Sequence, residues 1–243
     1  MVNESINKIQ KIKLRMFLPN ITSESIMLGI LLAIVGGFLD AYTFIGRGGV
    51  FSNAQTGNIV LVGINAFEGN WHETIIHIFP IVAFIFGVIA AEFTKKNFSV
   101  SFLSKWEHAV LVFEIIIFFI IGFMPKNFSN NCVNITISFA ASLQYCAFKN
   151  LSGYPYATTM CTGNLRSASQ AAYLAFTQKD YDAAIKSIHY FTVIFAFFLG
   201  TFLGGFLTFF IGDKSVWFVV ILLIFSLVLL EMTENTTVEA TLS

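Results

Sequence analysis

At its centre the chain reads Phe113-Glu114-Ile115-Ile116-Ile117-Phe118-Phe119-Ile120, which is apolar at every position except Glu114. The strands of a membrane β-barrel alternate apolar and polar residues over about ten positions, so this unbroken run does not suit a barrel. A helix that crosses the hydrocarbon core of a bilayer needs about 20 mostly apolar residues. The run lies inside a segment of that kind, residues 106–124, and it therefore predicts a transmembrane helix.

Five further segments have the same character, and two shorter ones do not reach it. The six predicted spans are residues 25–46, 74–93, 106–124, 132–148, 188–211 and 216–230. The shorter apolar segments, 56–67 and 162–176, would be about 18 Å and 22 Å long as helices. They are either ordinary spans of a thin bundle or partial helices, re-entrant or broken, that enter and leave on one side.

Composition agrees with a membrane protein. Of the 243 residues, 56% are hydrophobic and only 12% are charged, whereas soluble domains carry roughly 25% charged residues. Lys and Arg number 14, as do Asp and Glu, which excludes binding of nucleic acid through a basic surface. The three cysteines form no CxxC pair, so neither a disulfide framework nor a zinc site is indicated. The fold class that follows is all-α, a polytopic membrane helix bundle.

The positions of the basic residues choose between six and eight crossings, because cytoplasmic loops hold the excess of Lys and Arg. With an internal N-terminus and six crossings, the inner side collects ten basic residues and the outer side three, with Arg166 at membrane depth. The inner ones are Lys8, Lys11, Lys13, Arg15, Lys95, Lys96, Lys105, Lys149, Lys179 and Lys186, and the outer ones are Arg47, Lys126 and Lys214. Eight crossings give a split of seven to six, so six spans with two partial helices are predicted.

The chain also contains an internal repeat. A shift of 106 residues superposes Asp40-Ala41-Tyr42 on Cys146-Ala147-Phe148 and Thr56-Gly57-Asn58 on Thr162-Gly163-Asn164. Each half holds three spans and one short helix, and an odd number of crossings per repeat makes the halves inverted, as in many transporters. The predicted organisation is a cytoplasmic basic segment 1–24, a first repeat 25–124, a second repeat 125–231 and a cytoplasmic tail 232–243.

The Thr-Gly-Asn triplet opens both short helices. Thr and Asn are helix-capping residue types, and Gly lets a backbone or a ligand approach closely. The first N–H groups of a helix lack internal partners and carry the positive end of its dipole. The two triplets are therefore either solute-contacting helix ends that face each other across a pseudo-twofold axis, or ordinary caps combined with tight packing.

Asp40 lies two-thirds of the way along the first predicted span. A carboxylate inside a membrane is a functional candidate because its ionised form is costly there. It would carry a coupling proton, or it would form a structural ion pair with Arg166, Lys149 or Arg47. Glu114 is a second carboxylate at membrane depth.

Amide and hydroxyl side chains flank the short helices and suggest a polar cavity or, individually, bridges between helices. The complete set of expected solute-binding residues is Asp40, Asn53, Gln55, Thr56, Gly57, Asn58, Gln144, Thr159, Thr162, Gly163, Asn164 and Arg166. No nucleophile elbow, phosphate loop or zinc HExxH pattern occurs, so no enzyme, no metal and no cofactor are expected.

Two ordered signatures carry a resemblance. Residues 37–41 followed by 51–58, and residues 142–148 followed by 157–165, are similar to the two signatures of the YoaK family of bacterial integral membrane proteins. The resemblance covers about residues 25–232. It implies about six spans and a bacterial plasma membrane, and it implies no reaction because the family is functionally uncharacterised.

The expected function is therefore that of a small-solute transporter or channel. Helix N-termini and Arg166 favour an anionic or zwitterionic solute at a midplane site between the repeats, with Asp40 supplying proton coupling. The alternative is a membrane scaffold, sensor or accessory subunit that transports nothing. The expected partners are the lipid bilayer and a small polar solute, without nucleic acid, and a homodimer is left open.

Overall fold

The computed structural model describes residues 26–97, 106–125, 127–151, 154–155 and 161–242. Eight α-helices occur in this part of the chain: α1 Ile26–Gly46, α2 Gln55–Phe67, α3 Trp71–Asn97, α4 Trp106–Ile121, α5 Asn130–Ala147, α6 Cys161–Gln178, α7 Tyr181–Ile211 and α8 Val216–Leu242. A 3-10 turn, Gly212–Ser215, joins α7 to α8, and two antiparallel two-residue strands, β1 Asn150–Leu151 and β2 Tyr154–Pro155, lie between α5 and α6. The basic segment 1–24, Lys105, Lys126 and Thr159 lie outside the described residues.

All eight segments predicted from the sequence are helical. The short helices α2 and α6 begin at Gln55 and Cys161, each one residue before the predicted start. Helix α7 begins earlier than predicted because the carboxylate of Asp180 accepts hydrogen bonds from the amides of Asp182 and Ala183 and so caps the helix. Helix α8 continues to Leu242, through most of the segment predicted as a tail.

Three helical stretches have the length and hydropathy of membrane spans: Ile26–Gly46, Trp71–Asn97 and the 52-residue stretch Tyr181–Met232, which contains α7, the turn and part of α8. One face of α7 carries Phe195, Phe198 and Phe202, whose exposed fractions are 59%, 60% and 62%. A face of this size in contact with water would drive aggregation, whereas lipid solvates it. The helices thus have the character of a membrane-embedded protein.

The closest helix packing joins α1 to α7 and relies on glycines. A Cβ atom added to Gly200 would collide with the Ile34 backbone, and one added to Gly204 would lie 2.6 Å from the Phe38 carbonyl oxygen. From the other side, Gly37 meets the Phe197 carbonyl oxygen. The face formed by Gly200 and Gly204 therefore makes its contact inside the chain, and a homodimer would have to use another surface.

The remaining helix pairs surround this contact. Helix α3 packs against α5, where Gly87 meets Ser142 and the backbone of Phe139. Helix α2 packs on α3, α6 packs on α7, and α4 contacts α8 and α5. Helix α8 also packs on α1, with the rings of Phe38 and Phe218 stacked at 5.5 Å. The main apolar core lies among α1, α4, α5 and α8.

Polar contacts define one end of the bundle, which we call the Arg47 end. Arg47 follows α1 and is only 1% exposed, and it pairs with Asp213 of the turn between α7 and α8 at 3.6 Å. Its guanidinium donates to the Tyr42 hydroxyl at 2.8 Å and 3.0 Å and to the Asn130 side chain, at the start of α5, at 3.4 Å. The end of α1, the start of α5 and the turn after α7 therefore meet here.

A second group of contacts defines the opposite end, the Lys95 end. Lys95, near the end of α3, donates to the carbonyl oxygen of Cys146, near the end of α5, at 2.7 Å. Glu92 accepts from Lys149 at 3.2 Å and lies 3.9 Å from Lys95. Helices α3 and α5 therefore finish together, at the end of α5 away from Asn130.

Replacing Gly200 by Ala tests the α1–α7 contact. We expect the Gly200→Ala chain to lose about 1–3 kcal/mol of stability because its methyl group forces backbone atoms of α1 aside. Gly63→Ala on α2 is the matched control, since a Cβ there meets no atom within 4 Å. Thermal unfolding of both variants in the same detergent measures the difference, and equal melting temperatures would contradict the packing.

Candidate functional site

Asp40 joins the interior of α1 to the start of α2. Its side chain is 3% exposed, and its Oδ1 atom accepts hydrogen bonds from the backbone amides of Asn53 at 2.7 Å and Ala54 at 3.2 Å. Ala54 is the residue before α2 and has no side chain able to cap it. The Asp40 carboxylate thus fixes the two residues that lead into α2, including its N-cap residue Ala54.

The loop that carries these amides is held on two sides. The Asn53 side chain donates to the Gly36 carbonyl oxygen of α1 at 3.0 Å, and Ser138 of α5 donates to the Ser52 carbonyl oxygen at 2.8 Å. Gly48 and Gly49 have positive φ values of 90° and 77°, which let the chain reverse directly after α1. The loop therefore runs back along α1 toward Asp40.

Asn58, rather than Thr56, organises the start of α2. Its Oδ1 accepts from the Phe51 amide at 3.1 Å, and its Nδ2 donates to the Phe51 carbonyl oxygen at 2.5 Å and to the Gln55 side chain at 2.9 Å. Gly57 is required because a Cβ there would lie 2.6 Å from the Phe51 ring. Thr56 is exposed and does not cap α2, so the capping interpretation is wrong for this residue.

The start of α2 lies well inside the bundle. Asp40 precedes the last residue of α1, Gly46, by six positions, which is about 9 Å along a helix. The amides of Asn53 and Ala54 reach this depth, whereas Arg47 stays at the end of the bundle. The first turn of α2 is therefore as deep as Asp40.

The first turn of α6 carries the remaining predicted site residues. Of these, Thr162 and Gly163 are exposed and Asn164 is buried. Farther along, Ser187 of α7 donates to the Ala168 carbonyl oxygen at 2.9 Å and fixes α6 against α7. Asn164 is therefore the predicted residue of this turn that lies in the interior.

Gln144 belongs to a different pair. Its Nε2 donates to Oε2 of Glu114 at 3.1 Å, between α5 and α4. Glu114 is fully buried, at 0% exposure. The second membrane-depth carboxylate is therefore built into the interface between α4 and α5.

Each buried carboxylate has one unused oxygen. Within the described ranges, Oδ2 of Asp40 and Oε1 of Glu114 have no hydrogen-bond partner. The ion pairs considered for Asp40 are not formed, since Arg47 pairs with Asp213, Lys149 pairs with Glu92 and Arg166 is exposed. An isolated ionised carboxylate in an apolar surrounding is costly, so these oxygens mark places where a proton or a ligand donor would be stabilising.

Two grooves lie along α6 and α7. One of about 640 Å³ is lined by Ser167, Gln170, Tyr173 and Lys186 among others, and the other, of about 400 Å³, includes Phe176, Tyr181 and Ser187. The part of the chain that the structure describes contains no group of three or more His, Cys, Asp or Glu side chains placed to hold a metal ion.

The sequence analysis counts Arg47 among the basic residues on the outer side and does not identify it as a buried residue. The available signals were nearby polar side chains. Tyr42 and Asn130 supply the acceptors that a buried guanidinium needs, and Asn134 donates to the Arg47 carbonyl oxygen. No local sequence pattern predicts Asp213 as the ion-pair partner of Arg47, because Asp213 lies in the other half of the chain.

The comparisons with known proteins identify a family but no activity. No curated protein and no solved structure matches the chain significantly. One family model, described as a protein of unknown function (DUF1275), matches residues 28–229, and YoaK is a member of that family, so the resemblance is confirmed. The chain belongs to the DUF1275 family.

Proposed function

We propose that the chain is a small-solute transporter or channel of the bacterial plasma membrane, with a solute site that Asp40 of α1 and the starts of α2 and α6 form together. The observation that carries the proposal is the buried Asp40 carboxylate, which fixes the residues that lead into α2 with one oxygen and leaves the other without a partner among the described residues. Helices that begin at membrane depth are the usual way in which transporters bind solutes.

In this proposal six helices cross the bilayer and the two short helices are re-entrant. The contacts at the Arg47 end support it, because α1 finishes there and α3 finishes at the opposite end. Helix α3 has 27 residues, about 40 Å, so its start lies back at the Arg47 end. Helix α2, between these two, therefore makes no net crossing.

We also propose that the two halves are inverted repeats. Equivalent helices are α1 and α5, α2 and α6, α3 and α7, and α4 and α8. Exchanging them converts the α1–α7 contact into α5–α3, the α2–α3 contact into α6–α7, and the α1–α8 contact into α5–α4, and all of these contacts occur. The short helices begin at Gln55 and Cys161, which are 106 residues apart and hence equivalent under the sequence repeat.

Asp40 is the proposed coupling group. It is buried, it has no cationic partner among the described residues, and its free oxygen is able to bind a proton. A proton bound there removes the cost of an isolated charge. A solute that binds in the same place would couple its own movement to the movement of the proton. The proposal assigns no chemical reaction to the chain.

The number of membrane crossings is tested by labelling residues at the ends of the two short helices. We expect a cysteine at Asn70, after α2, to be labelled from the outside, and a cysteine at Gln178, the last residue of α6, to be labelled from the cytoplasm. The measurement is reaction with a membrane-impermeant thiol reagent in right-side-out and inverted vesicles, with the three native cysteines replaced by serine. If the chain crossed the membrane eight times, both positions would lie on the cytoplasmic side, and Asn70 would not be labelled from the outside.

Water access distinguishes a transporter from a scaffold. We expect Thr56→Cys and Thr162→Cys in the same serine background to react with a water-soluble thiol reagent, because a solute pathway is hydrated and thiolates form in water. Phe202→Cys is the matched control, since it is exposed on α7 but faces lipid. If both threonine positions stay as unreactive as Phe202→Cys, the site is dry and the scaffold alternative is favoured.

Loss of flux tests the site residues themselves. Proteoliposomes containing the full chain are expected to take up at least one member of a set of radiolabelled amino acids and organic acids when a proton gradient is imposed in one direction or the other. Asp40→Asn and Asn164→Ala should abolish that uptake while expression is unchanged, and Asp182→Asn, an exposed acid on α7, should keep it. Uptake that survives both site changes would show that the solute binds elsewhere.

A further inference from the structure

The loop after α1 is clamped between α1 and α5 beside Asp40, and one peptide unit makes both contacts. The peptide between Ser52 and Asn53 donates through its N–H group to Oδ1 of Asp40 on α1 at 2.7 Å. Through its carbonyl oxygen the same peptide accepts from the Ser138 hydroxyl on α5 at 2.8 Å. The side chain of Ser52 is therefore held between the carboxylate of α1 and the polar face of α5.

Asn134 holds the same loop one helical turn earlier on α5. Its Nδ2 donates to the carbonyl oxygen of Arg47 at 2.9 Å. Residues four positions apart are neighbours on one face of a helix, so Asn134 and Ser138 both face the loop. Because the carboxamide is a single planar group, its Oδ1 atom lies against the loop as well.

This contact contains most of the unpaired side-chain oxygens in the interior. Four buried side-chain oxygens in the described part of the chain have no hydrogen-bond partner, and the fourth of them is Oε1 of Glu114. The other three are Oδ2 of Asp40, Oγ of Ser52 and Oδ1 of Asn134, whose residues are 3%, 0% and 1% exposed. Buried polar atoms are nearly always paired, so three unpaired oxygens on one loop contact indicate a ligand.

A proton on Asp40 satisfies only one of these three oxygens. None of them forms a hydrogen bond with another, so a proton on Oδ2 is not shared with the Ser52 hydroxyl. The amide oxygen of Asn134 would still lack a donor. A single ligand that contacts all three accounts for them together.

The chemistry of the three oxygens favours a hard cation. Carboxylate and amide oxygens are the ligands that such cations prefer, and unwound backbone beside a broken helix is where transporters coordinate sodium ions. Asp40 supplies the one negative charge of the set. A monovalent cation therefore leaves the group neutral, whereas a divalent cation would leave an uncompensated positive charge in the interior, which is costly.

We propose that Asp40, Ser52 and Asn134 bind a monovalent alkali-metal cation between α1, α5 and the loop that joins α1 to α2. The site goes beyond the proposed function, which assigns only a proton to Asp40. A coupling role for the cation rests on that function and adds a second coupling ion to it.

The test compares the melting temperature of the purified full chain in lipid nanodiscs in equal concentrations of sodium, potassium and choline chloride. We expect sodium or potassium to raise it above the choline value by about 2–4 °C, because a ligand that binds only the folded chain stabilises it. Choline keeps the ionic strength constant and is too large for the site. Equal melting temperatures in the three salts would overturn the proposal, since a water molecule in the same place would not distinguish them.

Ser52→Ala removes one oxygen and leaves both backbone contacts of the loop in place. We expect the cation concentration that gives half of the stabilisation to rise at least about tenfold. Ser226→Ala is the matched control, because Ser226 is also 0% exposed but donates within α8 to the Leu222 carbonyl oxygen. The control should respond to the cation as the unaltered chain does, and equal responses of the two variants would contradict the site.

Asn134→Asp changes the charge of the site and hence the cation that it prefers. A second carboxylate balances a divalent cation, so we expect calcium to stabilise this variant more than it stabilises the unaltered chain. A residue that only held the loop would not give this change of preference. If calcium stabilises both chains equally, Asn134 is not a ligand and the proposed set is wrong.

Failure of this inference is distinguishable from failure of the transport proposal. If solute uptake follows a proton gradient and requires Asp40 while the three salts give equal melting temperatures, transport stands and the cation site is wrong. If an alkali cation stabilises the chain through Ser52 although no solute is taken up, the cation site stands and the transport proposal fails.

Discussion

The hydrogen bonds from the amides of Asn53 and Ala54 to Asp40 hold the rest of the site in place. A helix that begins inside a membrane protein exposes N–H groups that lipid cannot satisfy, so a protein group must do so. Asp40 accepts from the N-cap residue Ala54 and from Asn53 before it, and this fixes the depth at which α2 starts and the path of the loop from Arg47. Without that carboxylate, the loop would leave polar backbone unpaired in the interior, at a cost of about 1–3 kcal/mol for each group.

Much of the fold follows from the sequence because its cause is local. Continuous apolar runs with few charges require helices, and all eight segments are helical. The repeated Thr-Gly-Asn triplet predicts the starts of α2 and α6 to within one residue, because Thr and Asn are residue types typical of helix starts. Glycines at Gly200 and Gly204 indicated close packing because only small residues let two backbones approach.

The details of the site depend on contacts between residues distant in the chain, and the sequence contains no local trace of them. The sequence identifies Asp40 as a functional candidate. Its contact with the start of α2 forms because the loop turns back along α1, so that Asn53, thirteen residues later in the chain, reaches the carboxylate. Gln144 was assigned to the same site, yet its amide binds Glu114 on α4. The sequence predicts that Thr56 faces a solute or caps its helix. In the structure Asn58 holds the start of α2, because it binds both the amide and the carbonyl oxygen of Phe51.

Arg47 and the two buried acids, Asp40 and Glu114, differ in how completely their polar groups are paired. Arg47 has an anionic partner, two hydrogen bonds to Tyr42 and one to Asn130, so its charge is compensated and it holds the helix ends together. Asp40 and Glu114 each keep an oxygen without a partner in the described chain. A bundle that needed only stability would lose little by replacing Glu114 and its partner Gln144 together with apolar residues of similar size, because removing both members of a buried polar pair is often neutral or stabilising. Retaining two incompletely paired acids at membrane depth is therefore more consistent with groups that bind something in turn than with a scaffold.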